Sequence, residues 1–304
     1  MIGTVGWRRS ARAALAVLAG MGLGAMAGCS SHPAPAPPDI GLRDTGPRDA
    51  MPDFGSRMDG GACPAPLDLV LSVDVSTSMT STLMGQVRDA IPTLWTTAHA
   101  LSESPAVYLV VFVDDVMAAN GSGAYPGDGM CVAFSSPDDM LSHLDQWRAL
   151  GAMNQDPVSH QQNHDCAENS LDAIVAAASA CPFREQSSRY VVHFTDDTFA
   201  ERPTVLSGQT QRGVQVQHTY AETLAVLANQ EVRFSAFSLS GAGPDCGAGV
   251  RSPNVGQGFS EGFAMMPSLP DATGGQWWSL ADVRGGSLDV AMAVGGLLGS
   301  TYCR

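Results

Sequence analysis

Lysine is missing from this chain: all 16 basic residues are arginines, set against 30 acids. Without lysine there is no phosphate loop of the kind that reaches a nucleotide with an ammonium group. The net charge of −14 argues against nucleic acid as a partner and against anionic lipid headgroups, because phosphates repel an acidic surface. A Cys-x-x-Cys pair is also lacking, which leaves thioredoxin-like and zinc-ribbon readings without support. So is a His-Glu-x-x-His metalloprotease helix. No apolar run reaches the roughly 20 residues of an ordinary membrane-spanning helix.

What is present begins with a targeting segment, residues 1–28. Arg8, Arg9 and Arg12 precede the apolar stretch Ala13 to Met26, the layout of an export signal rather than of a folded element. The stretch ends in Met26-Ala27-Gly28-Cys29, which resembles the lipobox of bacterial lipoproteins. That resemblance implies cleavage before Cys29 and its fatty acylation, palmitate included, and so an exported protein held at a membrane, with the outer membrane expected. A plain signal peptide with Cys29 as an ordinary thiol is the alternative. Residues 29–65 are rich in Pro, Gly and Asp without hydrophobic periodicity and read as a disordered, lipid-anchored linker. Without the three arginines of the signal segment the balance is 30 acids to 13 arginines, a net charge of −17. Membrane contact is therefore expected through the lipid alone.

The remainder, 66–304, is long enough for one domain with a full core. Leu67 to Val73 is a short apolar run, and Ala106 to Val113, Tyr190 to Phe194 and Val232 to Leu239 are others. Such continuous runs fit strands covered on both faces. Helical spacing follows each of them: Leu83, Val87, Ile91, Leu94, Ala98 and Leu101; then Pro137 to Leu150, Ala167 to Ala180 and Thr219 to Asn229. The alternation predicts a doubly wound α/β fold. Its mostly parallel sheet carries one short antiparallel edge strand, assigned to Cys131 to Phe134, and helices on both faces. Ligands of such sheets sit beyond the carboxyl ends of the strands. Three strands end there in acid: Asp74, Asp114-Asp115 and Asp196-Asp197.

The string Asp74-Val75-Ser76-Thr77-Ser78 places a carboxylate and two hydroxyls where a strand gives way to a helix. Oxygen donors converging in this way suit a hard divalent cation, Mg²⁺ or Ca²⁺, with Mn²⁺ also admissible. With Phe194-Thr195-Asp196 and the run Asp271 to Gln276, the pattern resembles the von Willebrand factor type A domain over roughly Pro66 to Ser300. The resemblance implies a Rossmann-like fold and a metal-ion-dependent adhesion site. Asp74, Ser76 and Ser78 match its first loop and Asp196 its third. At the second loop, where the family usually has threonine, the count falls on Asp165, in a string similar to an Asp-Cys-Pro-Glu variant of the family. Two roles are open to Asp165: contact with the metal, direct or through water, or capping of a helix beginning at Ala167. As a third carboxylate it would leave the site one charge negative and disfavour an acidic ligand. Each charge at 4 Å counts for about 4 kcal/mol at an effective dielectric of 20.

Lesser candidates are a zinc set of His160, His164 and Cys166 in a polar loop, and a secondary ion site at Asp114 and Asp115, whose alternative is a hydrated strand end. Trp277 and Trp278 read as one core and one partly exposed aromatic, and Asn120 begins a sequon. Beyond Cys29 six cysteines remain, which in an exported domain favours disulfides. In the expected fold Cys63 and Cys303 meet at the edge opposite the metal, and their bridge would close the domain. One further bridge is expected among Cys131, Cys166 and Cys246 at the metal edge, its members undecided. A Cys166–Cys181 bridge is excluded by the length of the helix between them, roughly 22 Å.

No catalytic residues are assigned. The expected function is a non-enzymatic binding module: a metal site and flanking loops presented to a protein or glycan ligand at the cell envelope. A structural domain with a stabilising metal is the alternative. A metal-dependent hydrolase using Asp196, Asp197 and His193 ranks below both, since His193 falls inside a buried strand.

Overall fold

The first strand, β1 (Leu67–Asp74), is buried along its whole length and divides its side chains between two cores. Leu67, Leu69, Leu71 and Val73 enter one, and Val70 enters the other. By the strand's period of two, Asp68, Ser72 and Asp74 share Val70's face. Buried polar groups need partners, and these have them. Asp68 accepts from the Arg184 amide at 2.8 Å and from its guanidinium at 2.8 and 2.5 Å. Ser72 Oγ lies 3.0 Å from His193 Nδ1.

The computed structural model describes residues 65–80, 83–118, 124–125, 130–164, 166–207, 213–243 and 254–303. All belong to the unit Asp53–Arg304. The signal segment, Cys29, the linker up to residue 64 with Cys63, and Asn120, Asp165 and Cys246 lie outside the described residues. After β1 come α1 (Thr77–Thr80), α2 (Leu83–Leu101), β2 (Pro105–Phe112), β3 (Val116–Ala118), β4 (Ala124–Tyr125) and α3 (Pro137–Gly151). Then follow β5 (Ala167–Glu168), α4 (Ser170–Ser179), β6 (Ser188–Phe194), β7 (Thr198–Phe199), β8 (Val205–Leu206), β9 (Val214–Gln215) and α5 (Tyr220–Asn229). The chain ends with β10 (Val232–Ser238), α6 (Leu269–Thr273), β11 (Trp277–Ser279), α7 (Leu280–Arg284) and α8 (Val290–Thr301).

The main sheet runs β11-β10-β6-β1-β2-β3-β4. Its first five strands are parallel, β3 is antiparallel to β2, and β4 is antiparallel to β3. Helices α2, α3, α7 and α8 bury Ile91, Leu144, Val283 and Leu297 against one face. Helices α4, α5 and α6 cover the other with Ile174, Leu227 and Leu269. Side chain and chemistry agree at the helix starts: Ser136 caps α3 through Asp139 N at 3.1 Å, and Thr219 and Glu222 close a reciprocal capping box on α5. Helix α4 is buried from Ser170 to Ala178, which its alanines allow by holding the backbone close to its neighbours. Among the described residues no helix is long and apolar enough to cross a membrane.

Three expectations are corrected here. The antiparallel edge is built by Val116–Ala118 and Ala124–Tyr125, whereas Cys131 to Phe134 forms no strand. That segment instead runs beside the start of β2, with Phe134 N on Val107 O at 2.9 Å. This puts Cys131 at the edge opposite the acids, where it bridges Cys181 with a Cα separation of 4.5 Å. Cys166 and Cys303 are disulfide-bonded too. Finally α4 starts at Ser170 rather than Ala167, because Ala167–Glu168 pairs with Thr198–Phe199 as parallel β5 and β7. The residue at the cap is Asn169, and no helix begins at Ala167.

The Cys131–Cys181 bridge spans a sequence separation of 50, and a loop of that size lowers the entropy of the unfolded chain. Replacing both cysteines by serine is expected to cost about 2–4 kcal/mol. Denaturant titration of the double variant against wild type measures it, and an unchanged midpoint would show that the bridge contributes nothing.

Candidate functional site

The order of strands reverses between β1 and β6, with β2 on one side and β10 on the other, and ligands of open α/β sheets bind outside such a switch point. Asp74 ends β1 and Asp196 follows β6, so the two carboxylates stand at this crevice. The loop after Asp74 is held from both sides. Val75 N donates to Phe112 O at 3.0 Å, and Thr77 Oγ1 donates to Gly151 O at 2.9 Å. A Cβ on Gly151 would stand 1.8 Å from Val75 O, so glycine at the end of α3 is what lets the first loop close.

Asp74 is fully buried. Its Oδ1 accepts from Ser76 N at 2.8 Å and its Oδ2 from Thr195 Oγ1 at 2.9 Å. The Ser76 and Ser78 hydroxyls are 3.0 Å apart, and Ser78 Oγ donates to Asp196 Oδ1 at 2.7 Å. Asp74, Ser76, Ser78 and Asp196 are thus linked into one hydrogen-bonded group. Burial, with Asp196 next in importance, pushes the Asp74 carboxyl up to about 8. A buried acid beside a second acid is stabilised by a cation close by.

Two residues that sequence reading did not assign to the site stand here. Arg284, the last residue of α7, donates Nη2 to Asp196 Oδ2 at 2.6 Å. Glu168, only 2 % exposed, has its pKa raised well above the usual carboxylate range, through burial first and then Asp74, Asp114, Asp197 and Asp156. Its Oε1 accepts from Asn163 Nδ2 at 3.0 Å, and its Oε2 has no hydrogen-bond partner. The residue at the second loop by family count, Asp165, lies outside the described residues.

The donor set fits a hard divalent cation: carboxylates, hydroxyls and an orphaned buried carboxylate oxygen, with no nitrogen or sulfur. Among the described residues no three His, Cys, Asp or Glu side chains form a ready-made metal cage. Serine oxygens and water would therefore complete the coordination shell. The zinc set is set aside, since the Cys166 sulfur is in a disulfide and His160 and His164 are exposed. Asp114 and Asp115 are buried rather than hydrated, and Asp115 accepts from Val158 N and Ser159 N at 3.0 and 2.7 Å. Both tryptophans are half-buried, Trp277 bonded to Ser238 Oγ at 2.9 Å and Trp278 stacked on Phe237 at 4.6 Å. His193 stacks on Phe112 and Phe259 and bonds to Ser72 rather than to Asp196 or Asp197.

The string Gly258-Phe259-Ser260-Glu261-Gly262 spells a nucleophile-elbow pattern that sequence reading passed over. It follows no strand and opens no helix, and Ser260 Oγ donates back to Gly256 O at 3.2 Å. The strand–turn–helix context that gives the pattern its chemistry is missing.

Sheet order, helices on both faces and acids at the carboxyl edge decide the architecture. The fold is α/β, of the von Willebrand factor type A and Rossmann-like kind. No family model and no curated protein matches the chain. Among solved structures it is similar to an aerotolerance-related membrane protein from Bacteroides fragilis, at 11% identity and a TM-score of 0.44, covering 76% of this chain and 99% of that one. BatB from Bacteroides thetaiotaomicron is similar at 13% identity and a TM-score of 0.42, covering 75% and 98%. Proximal thread matrix protein 1 of the mussel byssus is similar at 12% and 0.43, covering 77% of this chain and 47% of that one.

A cation at Asp196 would have to compete with Arg284 for its carboxylate. Arg284→Gln is therefore expected to raise Mg²⁺ or Ca²⁺ affinity about tenfold, within the range of partly exposed charge pairs near a surface. Calorimetric titration reads this directly, and equal or weaker affinity in the variant would show that the arginine supports the ion instead.

Proposed function

We propose that this is an exported, lipid-anchored binding module that holds a divalent cation at Asp74, Ser76, Ser78, Asp196 and Glu168 and presents it to a protein or glycan partner at the cell envelope. The observation that carries the reading is the unbroken oxygen chain Ser76–Ser78–Asp196 beside the buried Asp74. Asp74, Ser76 and Ser78 follow one strand and Asp196 another, and four convergent oxygens exceed what a helix cap requires. Supporting it, the acids lie at the topological switch point, where folds of this kind bind ligands.

Glu168 supplies a third carboxylate to the site. Arg284 offsets one of the three negative charges, so the cation-loaded site is close to neutral while the arginine is in place. Where the cation displaces Arg284 from Asp196, the site is left net negative and a neutral oxygen of the partner is the preferred sixth donor.

A second reading is a structural envelope domain, favoured by the Arg284–Asp196 pair, which balances part of the acid edge without any partner. Capture from envelope extracts separates the two. The binding reading expects a partner held by wild type with Mg²⁺ or Ca²⁺, released by EDTA and not retained by Asp74→Ala. The same proteins on both baits would favour the structural reading.

A further inference from the structure

The edge opposite the acids carries positive charge that the described residues do not balance. Of the seven arginines among them, five stand beside a carboxylate: Arg88 and Arg148 by Asp145, Arg184 by Asp68, Arg202 by Glu222 and Arg284 by Asp196. Arg189 and Arg233 pair with none, in a chain where acids outnumber arginines 30 to 16. Both line one open cavity of about 350 Å³ at the starts of β6 and β10. Among the described residues Glu231 is the one acid in its wall, and it is exposed and pairs with neither arginine.

The two guanidinium groups are held in place without using up their donors. Arg189 lies over the Phe183 ring at 5.6 Å and Arg233 over the Tyr190 ring at 5.8 Å, contacts that draw on charge rather than on N–H groups. Arg189 donates Nη1 to Gln230 O at 2.7 Å and Nη2 to Arg184 O at 3.3 Å, and its Nε is buried without a hydrogen-bond partner. Arg233 donates Nη1 to Thr301 O at 3.2 Å. Since each guanidinium has five N–H donors, the carbonyls at the ends of α5 and α8 take up a minority of them. Carbonyls and water accept hydrogen bonds but bring no negative charge. An anion does both. Two forks reaching it from neighbouring strands suit the tetrahedral oxygens of phosphate better than a carboxylate, which a single fork fills.

We propose that Arg189 and Arg233 form a binding site for a phosphate group. The cavity lies where the two ends of the domain meet. Ser188 in its wall donates its amide to Pro66 O at 2.8 Å, and Thr301, also in the wall, precedes the Tyr302 that holds Ala65. A phosphate of a lipid headgroup reaches the site only if the chain is anchored at this end, as in the function proposed above, whereas free phosphate needs no anchor. The net charge of the chain opposes the approach of anions from a distance, so the contacts at the two forks carry the binding.

Calorimetric titration of the full-length protein with inorganic phosphate tests this, in EDTA so that no cation bridges phosphate to the acid edge. One site per chain is expected. Arg189→Gln and Arg233→Gln are each expected to weaken it about tenfold, the usual effect of losing a hydrogen bond to a charged group. Glu231→Gln, an exposed change, is expected to tighten it about threefold. Where circular dichroism shows Arg189→Gln unfolded, Arg233→Gln and Glu231→Gln carry the test. No heat of binding in wild type, or one affinity shared by wild type and variants, overturns the proposal. Asp74→Asn is expected to bind phosphate as wild type does, which keeps this site and the cation reading separately testable; a changed affinity there would put the phosphate elsewhere and overturn the site. Glycerophosphoglycerol, the deacylated headgroup of an anionic phospholipid, separates the sources. Binding at least as tight as that of inorganic phosphate assigns the site to a headgroup, and weaker binding assigns it to free phosphate.

Discussion

Asp74→Asn is expected to lower affinity for Mg²⁺ or Ca²⁺ at the first site about a thousandfold. A charge 4 Å from the ion counts for about 4 kcal/mol at an effective dielectric of 20, and each 1.4 kcal/mol is a factor of ten. The same variant is expected to leave the metal-free protein as stable as wild type or more so. The reason is that burial and Asp196 already oppose ionisation, holding the Asp74 carboxyl up to about 8, so the amide spares the folded state the cost of neutralising a group that is ionised in the unfolded chain. Melting curves separate these effects. At a cation concentration 100 times its dissociation constant, wild type gains about 2.7 kcal/mol, or roughly 5–10 °C for a domain of this size. Asp74→Asn retains only the shift due to any other ion. A wild-type melting point indifferent to Mg²⁺, Ca²⁺ and EDTA would end the metal reading altogether.

Acid is expected to act through His193. The ring is fully buried among Phe112, Phe234 and Phe259, and its Nε2 has no hydrogen-bond partner. Burial pushes its pKa down to about 3. In the unfolded chain the imidazole takes up a proton near pH 6.5, whereas in the folded chain it stays neutral until about pH 3. Its contribution is therefore complete above pH 6.5 and is lost as the pH falls toward 3, at about 1.4 kcal/mol per unit, or about 3 kcal/mol by pH 4. Asp74, Asp156 and Glu168, all raised, contribute with the opposite sign, since their stabilisation is lost as the pH rises through their folded values. The measurement is consequently a difference: His193→Phe against wild type, both in EDTA, from pH 7 to pH 4. The variant is expected to lose about 3 kcal/mol less than wild type. Parallel profiles would mean that His193 does not titrate between the two states.

Local pattern made much of this legible. The apolar runs and helical spacing placed β1, β2, β6, β10, α2, α3 and α5 within a few residues, because each of these elements has to bury a face of its own. The first loop was readable for the same local reason: Asp74, Ser76 and Ser78 lie within five residues. Glu168 and Arg284 were hidden by a different cause. Glu168 reaches the acid edge through β5, a two-residue strand whose pairing with β7 depends on segments thirty residues apart, and nothing in Ala167-Glu168 announces it. Arg284 meets Asp196 across 88 positions, from a helix too short for periodicity to reveal. The Cys131–Cys181 bridge escaped because its edge follows from how residues 131–134 return along β2, a non-local path.

The two ends of the domain sit together, far from the acids. The Tyr302 hydroxyl donates to the carbonyl of Ala65, two residues before β1 begins, and Asp74 closes that eight-residue strand at its other end. A tug on whatever the acid edge holds, resisted where the chain enters at Ala65, would thus run lengthwise down β1, across roughly 26 Å of strand. That strand is zipped to β2 on one side and β6 on the other along nearly its whole length. Sliding it out would shear both ladders together instead of peeling either one bond at a time.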